Sequence, residues 1–257
     1  MPTYRLVVEY DGSAYHGLQY QPAPLRTIAG ELEAALSRIF REPVKITAAG
    51  RTDAGVHATA QVISFRAERD FPAERLALAV NGNTPPDLRV VDVAQVADAF
   101  SARFDALERS YDYLILNTRF PSALWRERAW FVIPPLDDVR LAEAARPLIG
   151  QHDFVSFCGE LPERGGTERT LNAIDVERRG EHVRLTVRGR GFLHHMVRVI
   201  VGTLVDSATT HAVGFAAEAL AARDRRAAGT TAPAHGLYLT GVRYPDFAVS
   251  RPVSLAP

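Results

Sequence analysis

The chain of 257 residues is short of several things at once. A single cysteine, Cys158, excludes an internal disulfide and any cysteine cage for a metal. Net charge is absent, with 30 acidic side chains against 30 basic ones, which argues mildly against nucleic acid as a partner because RNA binders tend to carry a basic excess. Lysine is all but missing: only Lys45 occurs and the other basic residues are arginine, the better residue for phosphate forks and base stacking. Long apolar runs are lacking too. The longest uncharged one, Val199 to Val205, is far below the roughly 20 residues that a membrane span needs. Arg5 and Glu9 interrupt the first apolar segment, which reads as a strand and not as a secretory signal. No G-x-G-x-x-G follows a strand, and neither a phosphate-binding loop nor a metal-spaced ligand set occurs. These absences leave a soluble, cytoplasmic protein with no membrane role, no dinucleotide and no metal centre. Its length suits one large domain or two small ones.

What is present is concentrated in Gly50-Arg51-Thr52-Asp53-Ala54-Gly55-Val56-His57-Ala58. One carboxylate stands beside an arginine and between two glycines, in a stretch too small and polar to be core. Alternating apolar residues flank it, Val44 and Ile46 before, Val62, Ile63 and Phe65 after. Glycine lets a substrate approach the backbone closely. The competing reading is an Asx-type hairpin turn in which Asp53 satisfies its own backbone. Alternation along the segment puts Arg51 and Asp53 on one side of it.

Four further blocks accompany this one, in order: Tyr10-Asp11-Gly12-Ser13-Ala14-Tyr15-His16-Gly17-Leu18-Gln19; Phe100-Ser101-Ala102-Arg103-Phe104 with Arg109-Ser110-Tyr111-Asp112-Tyr113; Gly191-Phe192-Leu193-His194-His195-Met196-Val197-Arg198-Val199-Ile200-Val201-Gly202; and Ala234-His235-Gly236-Leu237-Tyr238-Leu239. Together the five blocks resemble the TruA family of tRNA pseudouridine synthases over nearly the whole chain, from residue 4 to about 245.

The periodicities predict strands at 4–10, 43–49, 60–67 and 88–96, with helices at 28–40 and from Ala73 after Pro72. The pattern then repeats: strands at 109–118, 128–133, 171–179 and 181–188, a helix holding Leu141, Ala145 and Leu148, further helices at 192–206 and 215–222, and a last strand at 237–244. This repetition of strand and helix order predicts an α+β fold of two ferredoxin-like halves, 1–105 and 106–257. The resemblance implies the same, with the halves forming a continuous antiparallel sheet, helices on one side, a central active-site cleft, the Asp motif in the first half and the Tyr and Arg elements in the second.

By resemblance, the activity is isomerisation of uridine to pseudouridine at positions 38, 39 and 40 of the tRNA anticodon stem-loop, by base flipping and in a homodimer. Such a reaction breaks the C1′–N1 bond, turns the uracil and forms a C1′–C5 bond. It moves no electrons to an acceptor and no phosphoryl group, so it calls for no cofactor. It does call for a carboxylate that stays ionised in a cleft, as nucleophile or as base; the resemblance assigns this to Asp53. Desolvation would protonate such a group. An arginine about 4 Å away opposes that by roughly 4 kcal/mol at an effective dielectric of about 20. The resemblance assigns this counter-charge to Arg198, whose alternative reading is an ordinary arginine on an amphipathic helix; its apolar neighbours favour a paired charge. Tyr111, which could equally be sheet packing, becomes the ring that stacks on the target uracil and helps remove the C5 proton. Arg51 enters the space left by the flipped nucleotide, and Arg103 and His195 join Arg51 and Tyr111 in substrate binding.

His194-His195 lacks Cys, Asp or Glu nearby at ligand spacing, so a polar turn at a helix start is favoured over a metal site. His57 is either a helper or structural. The cluster Arg178, Arg179, Arg184, Arg188, Arg190 and Arg198, set against acids gathered at 87–112 and 137–143, suggests segregated charge beneath the neutral sum. Two other classes compete. An RNA-binding module has no use for a cleft aspartate and would show an RRM-type strand. A glycosidic hydrolase needs a second catalytic carboxylate, and Glu68 and Asp70 sit in a charged turn.

Overall fold

A computed structural model describes residues 1–254, and the fold is mixed α+β with a mostly antiparallel strand arrangement. The chain divides into two compact units. The first comprises Met1–Arg109 with Tyr238–Pro252; the second comprises Ser110–Leu237 with Val253 and Ser254.

In the first unit, β1 (Thr3–Tyr10), β3 (His57–Arg66) and β4 (Leu88–Val96) form the antiparallel centre, in the order β4-β1-β3. The register sets Tyr4 opposite Phe65 and Leu6 opposite Ile63. The short β2 (Ile46–Ala48) pairs with the far end of β3. Helix α1 (Ile28–Phe40) starts where the Thr27 side chain accepts from the Gly30 amide and ends at Arg41 in left-handed conformation. Its buried stripe is Ile28, Leu32, Leu36 and Phe40, each four residues on. Phe40 meets Tyr4 and Phe65 with ring centroids 5.7 and 5.5 Å away, forming an aromatic core in which each side chain contributes about 1.5–3 kcal/mol by leaving water. Helix α2 (Ala73–Asn81) follows Pro72, which stands at the cap, one position before the first turn.

The last long strand, β10 (Leu237–Arg243), runs parallel to β3, with Tyr238 opposite His57 and Leu239 opposite Ala58. β11 (Ala248–Ser250) folds back on β10. A satellite core of Ala49, Val62, Ala102, Ala106, Val242 and Tyr244 binds the 237–250 return to the rest of the unit.

In the second unit, β5 (Glu108–Asn117), β9 (His182–Gly189), β8 (Glu168–Arg179) and β7 (Gly150–Asp153) lie in that order, and β6 (Trp130–Val132) pairs in parallel with β5. Strands β8 and β9 form the hairpin expected around Gly180. Helix α3 (Asp138–Ala145) is capped by Asp137, whose carboxylate accepts from Val139 and Arg140 amides. Helix α4 spans Met196–Thr209 and α5 Phe215–Ala222. The expected start of α4 at 192 is corrected by four residues. His195 adopts φ 58°, a left-handed conformation that no helix can pass through, so the helix begins after it. No helix among the described residues is long and apolar enough to cross a membrane.

Candidate active site

The glycine-bordered motif is a turn leading into β3. Its burial alternates: Arg51 is exposed, Thr52 buried and Asp53 half-buried, so the arginine and the carboxylate share the open side as alternation predicts. The Asp53 carbonyl accepts from the Val56 amide at 3.2 Å, and Gly55 takes φ 78°, which a side chain would disfavour.

Buried groups hold the turn from behind. The Thr52 hydroxyl lies 2.8 Å from the Tyr10 hydroxyl, and the Thr52 carbonyl accepts from the Leu18 amide at 3.0 Å. The Gln61 amide donates to the Gly50 carbonyl at 2.7 Å and reaches the Tyr10 hydroxyl at 3.4 Å. Burial pushes the Tyr10 phenol up to about 12, against the pull of its Thr52 and Gln61 hydrogen bonds. It therefore stays a neutral pin. At the other end, the Gly12 amide donates to His57 Nδ1 at 3.0 Å, and Asp11 lies 3.2 Å from the same nitrogen. The neighbouring His57 ring, helped by Ser13 and opposed by burial, holds the Asp11 carboxyl well below the usual carboxylate range. Gly12 is required by close approach: a Cβ there would lie 2.0 Å from the Val56 carbonyl oxygen. The His57 ring stacks on Tyr238 at 4.6 Å, so the structure gives His57 a supporting place behind the turn.

Arg109 secures the strand leading in. It donates to the Ala49 carbonyl at 2.9 and 3.0 Å, and to the carbonyls of Ala106 at 2.9 Å and Arg103 at 2.6 Å. The Arg103 backbone is thereby tied to the motif through Arg109, while its side chain is exposed and lies over the Phe104 ring.

The second unit carries the remaining candidates. Tyr111 is buried on β5, edge-on to Phe192 with centroids 5.1 Å apart. Arg198, half-buried in the first turn of α4, donates from Nε to the Ala232 carbonyl at 2.8 Å, and the Ala232 amide returns a bond to the Arg198 carbonyl at 3.1 Å. The Tyr113 hydroxyl donates to the neighbouring Pro233 carbonyl at 2.8 Å. Burial raises the Tyr113 phenol well above its usual value, partly offset by the Arg198 charge. His195 ends the stretch before α4, its ring stacked on that of exposed His194 at 3.7 Å.

The arginines of the β8–β9 hairpin behave differently from a segregated basic patch. Arg178 pairs with Asp138 at 2.8 Å, Arg188 with Asp175 at 2.6 Å, and both Arg179 and Arg184 with Glu177. Those charges are largely spent inside the unit. Sequence reasoning missed the Tyr10–Thr52–Gln61 network. Its only signal was a polar Gln61 inside an otherwise apolar strand run.

The family model for tRNA pseudouridine synthase matches residues 6–105 and 144–245. The chain belongs to the tRNA pseudouridine synthase family. It is 44% identical over 260 residues to tRNA pseudouridine synthase A of Methylobacterium nodulans, covering 98% of this chain and 100% of that protein. The enzyme of the same name from Paramagnetospirillum magneticum is 45% identical over 246 residues, 95% of this chain and 96% of its own. That of Moorella thermoacetica is 44% identical over 246 residues, 95% and 100%. The chain is thus an isomerase of the tRNA pseudouridine synthase class. The motif turn, Arg103, His195 and Arg198 all lie inside the matched residues, whereas Tyr111 falls in the interval between the two matched parts.

Proposed function

We propose that this tRNA pseudouridine synthase acts on uridines 38, 39 and 40 of the anticodon stem-loop, with Asp53 as the reacting carboxylate and with no metal or cofactor. The observation that carries the reading is Asp53 itself: half-exposed in a turn whose other residues are pinned by buried groups, with Arg51 exposed on the same side. A carboxylate so held is pre-positioned.

In the reaction, Asp53 attacks the sugar at C1′ or takes a proton from it, and the C1′–N1 bond breaks. The uracil turns and bonds through C5 to C1′, which releases Asp53 from C1′ or, on the other route, returns the sugar proton; C5 then loses its proton and N1 gains one. Arg198 supplies the counter-charge that keeps the carboxylate ionised as water leaves. Tyr111 stacks on the turned ring, a role supported by its buried, Phe192-braced position. Arg51 fills the space of the flipped nucleotide, and Arg103 and His195 touch the RNA. The enzyme works in the cytoplasm as a homodimer that shares one tRNA between subunits.

The test is tritium release from [5-³H]uridine-labelled tRNA. The Asp53→Asn enzyme should release none while still binding tRNA, and EDTA-treated wild type should release tritium normally. Release by Asp53→Asn at the wild-type rate removes Asp53 from catalysis; loss in EDTA restores a metal. Carbodiimide primer extension on treated transcripts locates the product. Pseudouridine confined to the T-loop overturns the site assignment and spares the enzyme class.

A further inference from the structure

One segment of the second unit is fastened at every residue. From Gly229 to Pro233 the chain runs along α4. The Gly229 amide donates to the Thr203 hydroxyl at 3.0 Å, and the Thr230 amide to the Asp206 carboxylate at 3.0 Å. Arg225 donates to the Thr231 hydroxyl at 2.9 Å and to the Gly229 carbonyl at 3.0 Å. Ala232 exchanges two bonds with Arg198, and Pro233 accepts from Tyr113. The pins on α4 fall at 198, 203 and 206, one helical stripe, with Gly202 between them where a Cβ would lie 1.8 Å from the Thr230 carbonyl oxygen. This is more restraint than a surface connection needs. Its product is a single fixed carbonyl, that of Ala232, aimed at Arg198 Nε.

We infer that Thr203 and Asp206 are positioning residues for catalysis: they hold the 229–233 strap, and the strap holds the Arg198 guanidinium in its working direction. The inference rests on the role of Arg198 proposed above. Thr203 is completely buried, and its hydroxyl also donates to the Val199 carbonyl at 2.7 Å, so it bridges helix and strap with both of its hydrogen-bonding capacities. An arginine side chain has many rotamers; a carbonyl bonded to Nε removes most of them before substrate arrives. Loss of a strap pin should therefore appear in turnover and not in tRNA affinity.

Thr203→Val keeps the shape and loses both hydrogen bonds. Its kcat should fall about tenfold or more while KM for tRNA stays within about twofold. Thr203→Ser should restore turnover. The Arg198 Nε–H resonance, assigned by its disappearance in Arg198→Lys, should be protected from exchange in wild type and in Thr203→Ser and unprotected in Thr203→Val. Arg225→Gln, which loosens the strap from its other side, gives a second reading should Thr203→Val fold poorly, with the same fall in kcat expected. Wild-type kcat in Thr203→Val and Arg225→Gln, alongside an inactive Arg198→Lys, overturns the strap and leaves the role of Arg198 standing. Wild-type kcat in Arg198→Lys overturns the role itself and the inference with it.

Discussion

The motif turn and the start of α4 solve the same problem by opposite means. Around Asp53 the work is done by side chains: Tyr10, Thr52 and Gln61 meet behind the turn, and the Asp11–His57 pair closes its far end. Around Arg198 the main chain takes part, because the strap presents the Ala232 carbonyl to its Nε. The difference follows from charge. The turn that carries the anion is held through its neighbours Thr52 and Gly50, whose partners are neutral side chains. A cation needs acceptors, and a backbone carbonyl is an acceptor that does not titrate.

The contrast breaks most visibly in paired substitutions. Asp53→Asn should cost about a thousandfold or more in tritium release with the unfolding midpoint nearly unmoved, because asparagine keeps the size and hydrogen-bonding capacity of the side chain and removes only its charge. Arg198→Met should lose comparable activity and, in addition, about 1–3 kcal/mol of stability in urea titration, since the buried Ala232 carbonyl loses its donor. Equal stability losses in the two variants would erase the distinction. Gly202→Ala drives a methyl into the Thr230 carbonyl and should lower stability by about 3 kcal/mol or more, read as a shifted urea midpoint. Tyr10→Phe leaves Thr52 short of its buried partner at a cost of about 1–2 kcal/mol.

A pH series sharpens the comparison further. Because the folded Tyr10 phenol sits near 12, above its unfolded value, its contribution is whole below about pH 10 and is lost as pH rises toward 12. Tyr10→Phe should flatten that alkaline fall. Asp11 is depressed, so its contribution is whole above the ordinary carboxylate range and disappears as the solution is acidified. Asp11→Asn should give a shallower acid limb and leave the alkaline limb unchanged.

Much of this was legible because it is local. The strip Arg51-Thr52-Asp53 carries its own alternation, and α1 announces itself through Ile28, Leu32 and Leu36. What escaped was non-local or conformational. The left-handed turn at His195, which delays α4, depends on packing that no periodicity encodes. β7 and β11, four and three residues long, are too short to show a period. Gln61 pins Gly50 and reaches Tyr10 across β1 and β3, a relation between distant stretches. The arginines of β8 and β9 looked like a basic patch because the partner of Arg178, Asp138, is distant along the chain, and because the cross-strand register that brings Arg184 to Glu177 and Arg188 to Asp175 is set by the hairpin.

The short parallel pairing of β10 with β3 also has a consequence for biosynthesis. The first unit is discontinuous, since its strand from Tyr238 is made after the whole of 110–237. On the ribosome, residues 1–109 emerge with β1 between β4 and β3, and β2 on the far end of β3. Meanwhile the stretch at His57 and Ala58, next to the motif turn, still waits for Tyr238 and Leu239. The half that holds Asp53 is the first to be made and the last to be finished.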